Sequence, residues 1–247
     1  MNKVYADIDT ALADVEDGMS VMIGGFGGAG APIELIHTLV ERYKKTGSPA
    51  KLTVINNNAG NGGVGIAAMI YAGMVAKMVC SFPRSSDPKA FTEKYLAGEI
   101  GLELVPQGTL AERIRAGGAG IPAFYTPTSF GTTIAEGKPV AEFDGRHYVQ
   151  ERWLKADVAL IKAELADRKG NLTYRKAGRN FGPLMAMAAT VTIAQASRVV
   201  ELGEIDPELV ITPGIFVNRV VEVPDPQQEE TLLRDEVKQG AVRGAVQ

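Results

Sequence analysis

Short apolar runs alternate with helical patterns along this 247-residue chain, and regular alternation of that kind is the mark of βαβ units built on a mainly parallel sheet. The runs at residues 21–23, 52–55, 76–80, 102–105 and 158–161 are predicted as strands. Helices are predicted at 33–43, where Ile33, Ile36, Leu39 and Val40 share a face, and at 65–72, 91–96 and 110–115. Residues 148–150 and 199–202 read as further strands. The stretch 182–189 reads as a helix, with Met185 and Met187 filling core or interface. From 117 to 145 the pattern dissolves into Gly, Pro and Thr, so a loop is predicted there. The expectation is one open α/β domain over residues 1–223, its mainly parallel sheet flanked by helices. The polar stretch 224–247 is expected to fray or decorate the surface.

Composition closes several routes. At 45% hydrophobic and 22% charged, the chain can bury a full core. A net charge of -3, with both signs interspersed, provides no footprint for a nucleic-acid backbone. Residues 1–7 lack the apolar stretch of a signal peptide, and no run of about 18 apolar residues predicts a membrane span. The single cysteine, Cys80, has no intrachain partner and fits a reducing, cytoplasmic setting. Two histidines and one cysteine, far apart, make no metal cage, and no acidic cluster has calcium-loop spacing, so no metal is expected. His37 and His147 lack the Ser or Cys motif of a nucleophilic triad.

The chemistry gathers at Gly24-Gly25-Phe26-Gly27-Gly28-Ala29-Gly30, which follows the first strong strand and opens a helix at Pro32. Five glycines in seven residues allow positive φ and let backbone N–H groups approach a ligand closely; the helix N-terminus adds partial positive charge. A dinucleotide-binding oxidoreductase would use such a turn, but it needs an acidic residue after the next strand to hold ribose. That strand ends instead in Asn56-Asn57-Asn58-Ala59-Gly60. A phosphate- or effector-binding domain on a related sheet is a further alternative. Asn57 and Asn58 fall at a strand's carboxyl edge, where their amides can hold a carboxylate or thioester oxygen. Gln107 stands at another strand end, ahead of Thr109, a candidate helix N-cap.

Residues 17–32, with Gly24-Gly25-Phe26, Gly30 and Pro32, resemble the A subunits of the family I (3-oxoacid) CoA-transferases. The likeness continues through Asn57-Asn58-Ala59-Gly60, residues 106–115, residues 118–122 and Arg175-Lys176-Ala177-Gly178-Arg179-Asn180-Phe181, and spans about residues 1–223. Segments 81–87 and 181–189 are most similar to family members that use 3-oxoadipate in aromatic degradation; members using acetoacetate differ more. The resemblance implies transfer of CoA from succinyl-CoA to a 3-oxoacid, with CoA as substrate and no permanently bound cofactor. It also implies a glutamyl-CoA intermediate on a glutamate within a Ser-Glu-Asn-Gly motif. This chain has no such motif, and Glu136-Gly137 lacks its context, so the glutamate is expected on a B subunit in a hetero-oligomer. The resemblance further implies that Gly27 and Gly28 form an oxyanion site, with the rest of Gly24 to Gly30 at the CoA thioester. Arg84, in a Pro-stiffened loop, is a candidate for a second substrate carboxylate. Arg175, Lys176 and Arg179 form a basic cluster suited to CoA phosphates or to the partner.

Overall fold

The computed structural model describes residues 2–229. The chain lays down β1 (Val4–Tyr5), α1 (Ile8–Ala11), β2 (Ser20–Ile23), α2 (Ile33–Thr46), β3 (Leu52–Ile55), α3 (Ile66–Ala72), β4 (Val75–Cys80), α4 (Lys89–Leu96), β5 (Gly101–Leu104) and α5 (Gln107–Ala119). It continues with β6 (Ala123–Thr126), β7 (Val140–Phe143), β8 (Arg146–Arg152), β9 (Ala156–Asp167), α6 (Gly182–Ala188), β10 (Ala189–Val200) and β11 (Arg219–Glu222). Eight strands form one sheet in the order β1-β11-β10-β9-β2-β3-β4-β5, and every neighbouring pair is parallel.

Residues 21–23, 54–55 and 158–161 of the central strands are apolar and buried because both faces of the sheet are covered there. Alternate side chains feed two cores. Val21, Ile23, Val54, Val158 and Leu160 join the layer with Leu35, Ile36 and Leu39 of α2. Met22, Ile55, Ala159 and Ile161 join the layer with Leu110 and Ile114 of α5 and Met185 of α6. The open, mainly parallel sheet flanked by helices is thus as expected, and the predicted strands and helices overlap observed ones, except that the strand predicted at 199–202 is only the end of the longer β10 (Ala189–Val200).

Three expectations need correction. The stretch predicted as loop carries the end of α5 and then a separate antiparallel sheet, β6-β8-β7. Its β7–β8 hairpin turns at Asp144-Gly145, both at positive φ (51° and 73°), a two-residue hairpin signal legible in the sequence. Thr109 does not cap α5: the helix starts at Gln107, and Thr109 Oγ1 is buried without a partner among the described residues. The third concerns 224–229. This part of the tail returns to the sheet edge, where the Gln228 and Glu229 N–H groups donate to Glu34 Oε1 at 2.8 and 3.0 Å. The rest of the predicted tail, 230–247, lies outside the described residues.

Candidate active site

Because β2, β3, β4 and β5 run parallel, the segments that leave their carboxyl ends share one edge of the sheet. There they enclose a cavity of about 680 Å³. Gly24 to Gly28 line it from the β2 end, Asn56 to Asn58 from the β3 end, Ser81 and Phe82 from the β4 end, and Gln107 from the start of α5. Ile33, Ile36 and Ile66 give it an apolar floor.

The glycine segment is a tight turn. The Phe26 N–H donates to the Ala29 carbonyl at 3.0 Å, and the Ala29 N–H returns a bond to the Phe26 carbonyl at 3.1 Å. Gly27 and Gly28 are the two central residues, at φ 57° and 88°, as a type I′ turn requires. Their own N–H groups make no hydrogen bond among the described residues, and a Cβ on either would meet open space. They are donors left available at the cavity wall. Ala29 and Gly30 do not line the cavity; Gly30 instead packs so tightly on Gly178 that any side chain there would run into the Gly178 backbone.

Asn180 holds this turn from far along the chain. Its Oδ1 accepts the Gly25 N–H at 3.1 Å, while its Nδ2 donates to the Ala29 carbonyl at 2.9 Å and to the Ala177 carbonyl at 2.8 Å. One side-chain amide therefore grips both flanks of the turn. Sequence reasoning assigned Asn180 no role, and no local pattern announces one.

The asparagine loop is self-bracing. Buried Asn56 donates from Nδ2 to the Ile23 carbonyl at 2.6 Å and accepts the Asn58 N–H on Oδ1 at 3.0 Å. Asn58 donates to Asn57 Oδ1 at 2.9 Å and accepts the Gly60 N–H at 2.8 Å, so both its polar ends are engaged. Asn57, also buried, keeps its Nδ2 without a partner among the described residues. Ser81 Oγ donates to the Asn57 carbonyl at 2.8 Å and also meets Gln107 Oε1, which fixes that side chain and leaves Gln107 Nε2 unengaged among the described residues. The structure thus brings Gly27, Gly28, Asn57 and Gln107 to one cavity as neutral donors.

Other candidates sit elsewhere. Arg84 is exposed and does not line the cavity, although Phe82 and Ser85 on either side do. Glu136 is exposed and also outside the wall. Arg175, Lys176 and Arg179 are exposed around the segment that packs on Gly30, beside the turn. His37 Nε2 accepts the Gly65 N–H at 3.0 Å, supporting the loop above α3, and burial holds its pKa below the ordinary imidazole value. Burial pushes the Cys80 thiol up to about 12, so it is no nucleophile. Among the described residues, the one charged side chain in the wall is Glu229, whose carboxylate is bound by Lys162 at 2.6 and 2.7 Å.

The dinucleotide alternative finds no support: buried amides occupy the β3 end where ribose would need a carboxylate. Comparison with known proteins agrees. The coenzyme A transferase family profile matches residues 5–223. The chain is 60% identical to the A subunit of 3-oxoadipate CoA-transferase from Pseudomonas putida, over 90% of this chain and 94% of that protein. It is 50% identical to the A subunit of succinyl-CoA:3-ketoacid coenzyme A transferase from Xanthomonas campestris, over 94% of each. Among solved structures, an acyl-CoA transferase from E. coli O157:H7, in its thioester complex with CoA, has the same fold, with a TM-score of 0.82 at 23% identity. The match covers 92% of this chain but 48% of that one, so this chain spans about half of the transferase's length.

Proposed function

The chain belongs to the coenzyme A transferase family, and we propose that it is the A subunit of a cytoplasmic hetero-oligomer that moves CoA from succinyl-CoA to 3-oxoadipate in aromatic degradation. One observation carries this reading. The cavity presents unengaged neutral donors, and its single carboxylate among the described residues, Glu229, is tied to a lysine. Such a wall stabilises an oxyanion but supplies no nucleophile.

The missing group is a glutamate from a B subunit. Its carboxylate attacks the thioester carbonyl of succinyl-CoA; the tetrahedral oxyanion collapses, CoA thiolate leaves, and a succinyl-glutamyl anhydride remains. The thiolate then attacks the glutamyl carbonyl, releasing succinate and leaving glutamyl-CoA. The incoming 3-oxoacid carboxylate repeats the sequence in reverse and departs as the acyl-CoA. Each acyl transfer develops negative charge on one oxygen, for which the unengaged Gly27 and Gly28 N–H groups in the cavity lining are suited. A fixed donor of this kind contributes about 3 kcal/mol to transition-state binding, roughly 10²- to 10³-fold in rate.

Asn57 Nδ2 and Gln107 Nε2 suit the carboxylate or thioester oxygens of the reacting groups, with Asn58 and Ser81 fixing their orientation. The exposed cations Arg175, Lys176 and Arg179, which flank the segment packed on Gly30, suit CoA phosphates or the partner. Phe26 and Phe82, 50% and 59% exposed, line the same cavity and offer apolar surface to a docking partner. Purified chain mixed with succinyl-CoA and 3-oxoadipate is expected to form no 3-oxoadipyl-CoA until the B subunit is added. Full turnover by this chain alone would refute the division of labour, and inactivity of the reconstituted pair would refute the activity.

A further inference from the structure

Strand β9 runs on past the end of β2. The last paired residues are Ile23 and Leu160, and the Gly24 N–H still donates to the Leu160 carbonyl at 2.9 Å. Lys162, two positions further, therefore projects beside the glycine turn on the Leu160 face, the side covered by α2. This is the point at which the chain switches from building the sheet toward β5 to building it toward β1, the place where open α/β sheets bind ligands.

The Lys162 ammonium holds both carboxylate oxygens of Glu229, and the two side chains are only 23% and 19% exposed. The two N–H bonds to Glu34 at the start of α2 fix the backbone that carries Glu229, so the carboxylate is presented to Lys162 and lines the cavity. A carboxylate thus already sits in a cavity whose remaining wall is neutral. The geometry points to Lys162 as the subsite for the remote carboxylate of a dicarboxylic acyl group, with Glu229 holding the place that the substrate's carboxylate takes.

Exchange of one carboxylate for another keeps the lysine neutralised throughout, so a dianionic acid enters without leaving a half-buried charge unpaired. A monocarboxylic acid has nothing to offer Lys162 and leaves the Glu229 contact in place. Selection for dicarboxylic acids follows from a single half-buried cation that holds the cavity's one carboxylate among the described residues, whereas Arg84 is exposed and does not line that wall. The identity of the acid rests on the function proposed above, but the carboxylate subsite itself does not.

The test uses the full chain assembled with its B partner and a matched pair of probes, succinate and butyrate, titrated by calorimetry, alongside KM for 3-oxoadipate and for acetoacetate. Lys162→Met is expected to weaken succinate and raise the 3-oxoadipate KM by about 10- to 100-fold, the usual range for a lost charge-assisted contact, while both monocarboxylates move less than about threefold. Lys162→Arg should restore most of the loss, and Glu229→Gln, which removes the internal competitor, should tighten succinate several-fold. Equal losses on both acids, or succinate binding unchanged by Glu229→Gln, would overturn the subsite. If Lys162→Met does not fold, the Glu229→Gln titration decides. An assembly that binds succinate as described yet transfers no CoA would refute the proposed function and leave the subsite standing.

Discussion

Two neighbouring loops line the cavity and are built on opposite plans. The asparagine loop after β3 braces itself: Asn56, Asn58 and the Gly60 N–H satisfy one another within five residues, and one amide, Asn57 Nδ2, is left over for a ligand. The glycine turn after β2 has no side chains to brace it. Its two outward N–H groups stay unengaged because Asn180, 155 positions beyond Gly25, grips the flanks instead. A turn of glycines is intrinsically mobile, so the oxyanion role proposed for it depends on a constraint from outside. The asparagine loop carries its own constraint and can lose a member more cheaply.

Variants that separate the two plans follow in order of expected effect. Asn180→Ala removes the grip on both flanks of the turn. It is expected to lower kcat by about 10²- to 10³-fold, as though an oxyanion donor were lost, with substrate KM moving less than about threefold. A loss confined to KM would show that the brace serves binding and not the transition state. Asn57→Ala comes next, with kcat/KM falling about 10- to 100-fold, because one amide hydrogen bond to a charged group disappears. Asn58→Ala is expected to cost less in activity, under about tenfold, and to show instead as a Tm drop of several degrees, since its bonds are internal to the loop. If Asn58→Ala proved as damaging to kcat as Asn180→Ala, the contrast between the loops would collapse.

The same contrast decides what the sequence reveals. The runs at 21–23, 54–55 and 158–161 read clearly because burial on both faces makes them apolar, and the glycine and asparagine segments read as candidate ligand loops because their chemistry is local. Asn180 and Lys162 did not, since each acquires its meaning only when the sheet brings distant segments together. Of the antiparallel β6-β8-β7 sheet only 148–150 of β8 was legible; β6 and β7 were hidden by Gly, Pro and Thr, although Asp144-Gly145 marked the hairpin. Strand β10 (Ala189–Val200) was legible only at its end, because buried Thr192 and Gln195 interrupt its apolar pattern; Thr192 Oγ1 is satisfied by the Ala186 carbonyl at 3.0 Å.

The proposed function has this chain contribute the oxyanion half of a site and no nucleophile, which leaves the covalent intermediate on its partner. Borohydride reduction of the mixed chains after exposure to succinyl-CoA, followed by intact-mass measurement of each, reads this directly, because a glutamyl thioester is reduced to the alcohol. The expected result is a modified B partner, with the mass of this chain unchanged. Modification of a glutamate on this chain would contradict the account.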